Sequence, residues 1–324
     1  KYPDTKIVYW AGGNPFHHHQ DLNRLIKAWE KPDTIICNEW CWNTLAKRSD
    51  IVLPCTTPLE RKDIMMTPRD PYVVSMSKLV DPYGQARNDY EIFTGIAKKM
   101  GVEKKFTESR NQEEWQEWIY NQTFDRAAAA NIKIPTYKKF REDGWFKVRD
   151  PKEPTIMLKD FRKDPVKNAL ATPSGKIEIF SKTVSDFGYD DCPGHPVWLE
   201  PCEWLGKKNK IYPIHLISNQ PKDKLHSQID HGKYSKSLKI NGREPLEINP
   251  KDAEQRGLKN GDIVRLFNDR GSCLAGVRIN KKIREKVVQM STGAWHDPKD
   301  LSEPNSMCKH GNPNVLTCDK GTSN

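Results

Sequence analysis

Residues 6–29 read Lys6-Ile7-Val8-Tyr9-Trp10-Ala11-Gly12-Gly13-Asn14-Pro15-Phe16-His17-His18-His19-Gln20-Asp21-Leu22-Asn23-Arg24-Leu25-Ile26-Lys27-Ala28-Trp29, and this stretch decides the fold. Its opening is β-branched and aromatic, which predicts a strand, whereas Leu22, Leu25, Ile26 and Trp29 recur at helical spacing. Between them Gly12 and Gly13 admit positive φ and let a ligand come close to the main chain. A helix that starts beyond such a turn presents free amides and the positive end of its dipole, which favour an anion. Strand, Gly-rich turn and helix make the build of a nucleotide site. An ordinary strand-to-helix turn would carry the same two glycines.

The chain continues in the same rhythm: a second strand at 33–38, a short helix at 42–47 and a third strand at 50–54. Alternating strands and helices predict a parallel sheet. Ligands of such sheets bind beyond the carboxyl ends of the strands, which here deliver Gly12 to Asn14, then Asn38 and Glu39, then the loop toward Arg61. Asn38 and Glu39 suit a ribose or a purine edge. Arg61 suits a phosphate or a neighbouring carboxylate, and an ordinary salt bridge is its plainer reading. From Asp89, placed as a cap, a helix runs through Ile92, Phe93, Ile96 and Ala97 to a stop at Gly101. Residues 103–165, rich in Lys and Glu with alanines at 127–130, read as helical covering structure.

Residues 166–208 are rich in Pro and Gly, with one short alternating strand at 176–180, and form the expected linker between a domain at 1–165 and another at 209–324. Beyond it the pattern turns to β, with strands at 212–218, 263–267, 273–279 and 287–291. A short helix starts at Asn249-Pro250 and closes at Gly257, and turns fall at Asn260-Gly261 and Asp269-Arg270-Gly271. Short strands around one small helix suggest a closed barrel. Ser218, Asn219, Gln220 and Pro221, followed by Lys224, His226, Ser227 and Gln228, make a loop dense in hydrogen-bonding groups. A polar surface loop would look the same.

Composition narrows the partners. A hydrophobic fraction of 36% and mean hydropathy of −0.81 describe a polar chain, and no stretch reads as a membrane span. The net charge of +10 is dispersed, without an aromatic-and-basic recognition motif, so it fits an anionic cofactor or redox partner better than nucleic acid. The eight cysteines show no repeated pair spacing and so give no zinc or iron–sulfur signature. Three consecutive histidines, His17 to His19, tempt a metal reading, but neighbours at a helix entrance point in different directions. No metal ligand is assigned.

The whole string Gly12-Gly13-Asn14-Pro15-Phe16-His17-His18-His19-Gln20-Asp21-Leu22-Asn23-Arg24-Leu25 resembles the dimethyl sulfoxide reductase family of molybdenum enzymes, in particular its trimethylamine N-oxide and biotin sulfoxide reductase branch. The resemblance returns, in collinear order, at Ala46-Lys47, 50–54, 59–63, Ala86-Arg87-Asn88-Asp89, Thr172-Pro173-Ser174-Gly175-Lys176 and Cys308-Lys309-His310-Gly311-Asn312-Pro313-Asn314. Only residues 100–165 or so are poorly matched. Family members are much longer, and this chain corresponds to their C-terminal part.

The resemblance implies a Rossmann-like α/β domain, incomplete here, followed by a double-psi β-barrel. It implies a bis(molybdopterin guanine dinucleotide) molybdenum cofactor and a small N-oxide or S-oxide substrate. A c-type cytochrome as electron donor and the N-terminal part of the same enzyme complete the expected partners. Asn14 and His18 match positions at the guanosine diphosphate, Asp89 one at the guanine end, and Asn314 one facing the second pterin. Residues 218–228 would meet a pterin and its phosphates, although Lys224 stands where the family often has Arg and so lacks the bidentate fork. The family's molybdenum-ligating serine lies upstream of this sequence, so no catalytic residue is named. Many relatives are exported to the periplasm, the compartment expected here, and biotin sulfoxide reductases are cytoplasmic. The chain stops at Gly321-Thr322-Ser323-Asn324 where relatives continue, so late cofactor contacts are expected to be lost. From residues alone, a nucleotide-binding or scaffold module without catalysis stays open.

Overall fold

The computed structural model describes residues 3–68, 70–148, 154 and 156–321, so Thr322, Ser323 and Asn324 lie outside the described residues. Strands are β1 (Ile7–Ala11), β2 (Thr34–Glu39), β3 (Ile51–Pro54), β4 (Asp63–Thr67), β5 (Asp70–Met76), β6 (Trp145–Lys147), β7 (His215–Ile217), β8 (Pro245–Ile248), β9 (Ile263–Asn268), β10 (Gly271–Ile279) and β11 (Val287–Met290). Helices are α1 (Pro15–His18), α2 (Leu22–Trp29), α3 (Asp89–Lys99), α4 (Glu103–Thr107), α5 (Gln112–Ala129), α6 (Tyr137–Asp143), α7 (Lys159–Lys163), α8 (Lys182–Ser185), α9 (Lys233–Ser237) and α10 (Pro250–Glu254). They fall into two compact units that interleave along the chain. One comprises Lys1–Ile35, Trp42–Asp50 and Glu178–Asn324, the other Ile36–Cys41 and Ile51–Ile177.

The first unit is built on a five-stranded mixed sheet in the order β7-β11-β8-β10-β9, curled into a half-barrel. β10 runs parallel to β8, with Gly276 opposite Pro245 and Ile279 opposite Ile248, and antiparallel to β9. β11 is parallel to β7 and antiparallel to β8. Every second residue of these strands therefore faces one core, formed by Leu246, Ile248, Cys273, Ala275, Val277, Val288 and Met290. Leu22, fully buried, joins that same core with Leu25 beside it. The apolar stripe that predicted α2 thus packs on the curled sheet. α10 begins as expected, with Asn249 Oδ1 accepting from Lys251 N and Pro at its first turn, and Gly257 follows at φ +63°.

In the second unit β2 and β3 pair in parallel from Ile36 opposite Ile51 to Glu39 opposite Pro54. An antiparallel sheet, β4-β5-β6, lies where the sequence suggested only loop and helix. Its Val73 packs with Tyr120 of α5 and Phe140 of α6. α3 is capped by Asn88 and not by Asp89, which is its first helical residue. The strand expected at 176–180 is absent, because Ile177 and Ile179 are 60% and 84% exposed and the alternation has no partner to pair with. Residues 42–47 give a single 3-10 turn, Ala46–Arg48, in place of a helix.

Candidate functional site

Gly12 and Gly13 hold φ of +83° and +70°, and a Cβ on either would meet nothing within 4 Å, so the turn selects glycine for backbone conformation and not for space. The helix that follows is only the four residues of α1, and α2 starts at Leu22. The expected pull of a long helix dipole on an anion is therefore weak, since few aligned peptides stand behind the turn. Asn14 is 7% exposed; its Oδ1 accepts from Phe16 N at 3.1 Å, while its Nδ2 is buried with no partner among the described residues.

The three histidines diverge as expected. His17 is 2% exposed and stacks on Trp295 at 5.1 Å between ring centroids. Burial, reinforced by the neighbouring His18, holds it neutral with a pKa of about 3. His18 faces outward, its pKa lowered by partial burial and then by His226, whose ring lies edge-on at 5.4 Å. His19 is exposed. From the far end of the chain, Asn312 Nδ2 donates to Phe16 O at 3.1 Å and Asn314 Nδ2 to His18 O at 3.3 Å. Asn314, expected to face a pterin, is thus bound to the backbone of the turn that carries His18.

The loop predicted at 218–228 belongs to the same unit. Asn219 accepts Thr292 N at its backbone carbonyl (2.9 Å), and its own Oδ1 is buried without a partner among the described residues. Gln220 donates to Lys224 O, Ser218 and Gln228 are exposed, and Pro221 and Ser227 are buried. Lys224 departs from expectation. Its side chain is 1% exposed, and its ammonium faces Asp230 Oδ1 at 2.9 Å and Glu244 at 3.3 Å instead of a phosphate-binding surface. Lys239 completes a square, at 2.9 Å from the same Asp230 oxygen and 2.8 Å from Glu244. Two ammonium groups and two carboxylates neutralise each other there, each side chain at most 6% exposed. Removing one leaves an unmatched buried charge, at a cost of about 3–5 kcal/mol. Burial works against the Asp230 charge, but the hydrogen bond from His310 Nε2 at 3.0 Å and the two ammonium groups outweigh it and hold the carboxyl far below the usual range.

In the second unit, Asn38 and Glu39 end β2 and are 4% and 8% exposed. Asn38 Nδ2 donates to Asp89 Oδ1 at 2.8 Å, so the two residues predicted for a purine are brought together. Thr56 Oγ1 donates to Asn88 Oδ1 at 2.8 Å and ties the end of β3 to the start of α3. The Cys55 thiol is pushed up to about 12 by burial and then by the charges of Asp89 and Glu39, which marks this corner as electronegative. Arg61 takes its plainer reading: Nε pairs with Asp63 at 3.2 Å and Nη1 donates to Thr56 O.

Sequence reasoning missed Asp230, Lys239, Glu244, Trp295, His296 and His310, because no local spacing links them. His296 is 3% exposed with both ring nitrogens unpartnered among the described residues, and burial, then Arg48, lowers its pKa to about 4. Among the described residues no group of three or more His, Cys, Asp or Glu could hold a metal ion, and no helix is long and apolar enough to cross a membrane.

The chain is 43% identical to the dimethyl sulfoxide/trimethylamine N-oxide reductase of Cereibacter sphaeroides over 99% of its own length and 40% of that protein's. Against the trimethylamine-N-oxide reductase of Haemophilus influenzae the identity is 45%, with the same two shares. The biotin sulfoxide reductase of Cereibacter sphaeroides is 41% identical over the full chain and 43% of its own length. The chain thus spans about two fifths of the curated relatives it matches. Among solved structures, acetylene hydratase from Pelobacter acetylenicus superposes with a TM-score of 0.73 over 97% of this chain and 41% of that one, at 18% identity, a likeness of fold alone. Residues 1–99 match the molybdopterin oxidoreductase family model and residues 214–324 that of the molydopterin dinucleotide binding domain. The chain thus carries, in collinear order, a molybdopterin oxidoreductase domain and a molydopterin dinucleotide binding domain.

Proposed function

We propose that this chain is the cofactor-holding part of an S-oxide or N-oxide reductase of the trimethylamine N-oxide, dimethyl sulfoxide, biotin sulfoxide or methionine sulfoxide class, dependent on bis(molybdopterin guanine dinucleotide) molybdenum. The observation that carries this is 41–45% identity, along almost the whole chain, to reductases of three such names. The functional division proposed is linear, 1–165, a linker at 166–208, and 209–324, in keeping with family matches at 1–99 and 214–324. The parallel pairs β8–β10 and β7–β11 within one mixed sheet support reading the half-barrel as part of a double-psi barrel.

The residues present fit such a group. Asn14 Nδ2 and Asn219 Oδ1 are buried polar atoms without partners among the described residues, and such atoms cost free energy unless a ligand or water satisfies them. Gly12 and Gly13 leave open space above exposed backbone. When bound, the molybdenum cofactor supplies the redox and oxygen-transfer chemistry. This chain's residues hold and orient. In one unit Asn14, His18, Ser218, Asn219, Gln220, Pro221, His226, Ser227, Gln228 and Asn314 offer neutral donors and acceptors. In the other, Asn38, Glu39 and Asp89 offer acceptors suited to the amino and imino edge of guanine, and Arg61, a donor only, lies beside Asp63. A full-length protein containing this chain, purified with its cofactor, is expected to carry molybdenum and guanine nucleotide and to oxidise reduced viologen with trimethylamine N-oxide or a sulfoxide. Nucleotide without molybdenum, and no turnover of any of these oxides, would favour a non-catalytic binding module.

A further inference from the structure

We propose that Asp230 is a positioning residue, which holds residues 224–230 in a strained conformation and thereby keeps His226 beside His18. The proposal rests on the reading of this loop as cofactor-binding.

Two residues of the segment sit in the left-handed region, His226 at φ +52° and Ile229 at φ +59°. For a β-branched side chain such as Ile229 this is an outlier that persists only where the surroundings over-determine it. Ile229 is itself 67% exposed, so its own packing does not impose the conformation. The constraint comes from its neighbour. Asp230 Oδ1 receives Lys224 and Lys239 at 2.9 Å each, and Oδ2 receives Trp295 N at 3.1 Å and His310 Nε2 at 3.0 Å. One carboxylate, 1% exposed, thus fastens four separated points of the chain. Trp295 extends the hold: its Nε1 donates to Ser227 O at 2.9 Å, and its ring stacks on His17, next to His18. Gly293 closes the other side, since a Cβ there would collide with the His226 carbonyl. The loop is pinned at both ends and in the middle; of the residues left exposed between the pins, Leu225, His226, Gln228 and Ile229, it is His226 whose ring meets His18.

The test uses the full-length holoenzyme and reads the rate at which molybdenum and guanine nucleotide leave the protein on buffer exchange. Asp230→Asn keeps the shape of the carboxyl and removes its charge. Supports of ligand-holding residues contribute roughly 10–100-fold to retention, so release about tenfold faster is expected. His226→Ala should accelerate release to a similar extent, and the double variant no further than the larger single effect, because both changes act through one element. Ile229→Gly, which adopts the left-handed conformation freely, should restore retention to Asp230→Asn; simple loss of buried charge balance would not be rescued this way. If Asp230→Asn does not accumulate, Lys239→Gln replaces it in the same cycle. Multiplying effects in the double variant, or no rescue by Ile229→Gly, would overturn the proposal. If His226→Ala leaves retention unchanged, the cofactor reading of the loop falls, and the proposal with it.

Discussion

Two clusters carry the candidate binding residues, and they are built in opposite ways. Around Asn38 and Asp89 the partners come from strand ends and a helix start within 51 positions of one another, and their polar atoms satisfy each other. Around Asn14 and His18 the partners arrive from residues 219–230 and 293–314, and several buried polar atoms stay unmatched among the described residues. The first cluster is close to finished by its own hydrogen bonds. The second is held in shape by an ion-pair square and a strained loop, and keeps its free donors and acceptors for something else. Stored strain and unsatisfied groups lower stability where they occur and mark where a ligand can return it.

The largest expected effect tests whether the square is what sustains that second cluster. Asp230→Ala should lower the unfolding free energy by about 3–5 kcal/mol in urea denaturation, because two buried ammonium groups would share one carboxylate. A loss below 1 kcal/mol would mean that the square is not holding the loop. Acid should strike the same cluster next. His17 and His296, with pKa values of about 3 and 4 against an ordinary 6.5, are buried neutral. A depressed folded-state value means stability fully present above pH 6.5 and lost as pH falls toward 3–4. Each contributes on the order of 3–5 kcal/mol across that window. His296→Gln should flatten the pH dependence of the unfolding midpoint between pH 6 and 4, and an unchanged slope would refute the assignment.

Substitutions along the turn separate holding from binding. His17→Ala should lower the melting temperature through lost stacking on Trp295, worth about 1–3 kcal/mol. His18→Ala should instead reduce molybdenum occupancy of the full-length enzyme with little change in melting, and His19→Ala should do neither. Equal losses of occupancy from all three would erase the distinction. In the locally satisfied cluster the effect should be smallest: Asn38→Ala removes one hydrogen bond to Asp89, about 1 kcal/mol, and should lower guanine nucleotide content before it affects folding.

What could be read from the sequence follows the same division. β1, the glycine turn, α2, β2, β3, α10 and β9 to β11 are written in local periodicity, and Asn38 could be named because a strand end is a local event, whereas Asp89 was legible locally as a helix start and as a binding residue only through the family resemblance. Lys224 was legible as a charge but not as a buried one, since Asp230, Lys239 and Glu244 come to it from different elements. The β4–β5 pair escaped because Met65 and Met66 break the alternation, and the register shifts between Met65 and Thr67. At 176–180 the alternation was present and meant nothing, for want of a neighbouring strand.

The bond from Asn312 to the carbonyl of Phe16 joins positions 296 residues apart. During synthesis, therefore, the glycine turn emerges 296 residues before the partner that closes it. Contacts of such sequence separation form slowly and late. The turn is consequently open to solvent, and to any chaperone or incoming ligand, while the residues between Phe16 and Asn312 are made, and it is sealed only once Asn312 has followed.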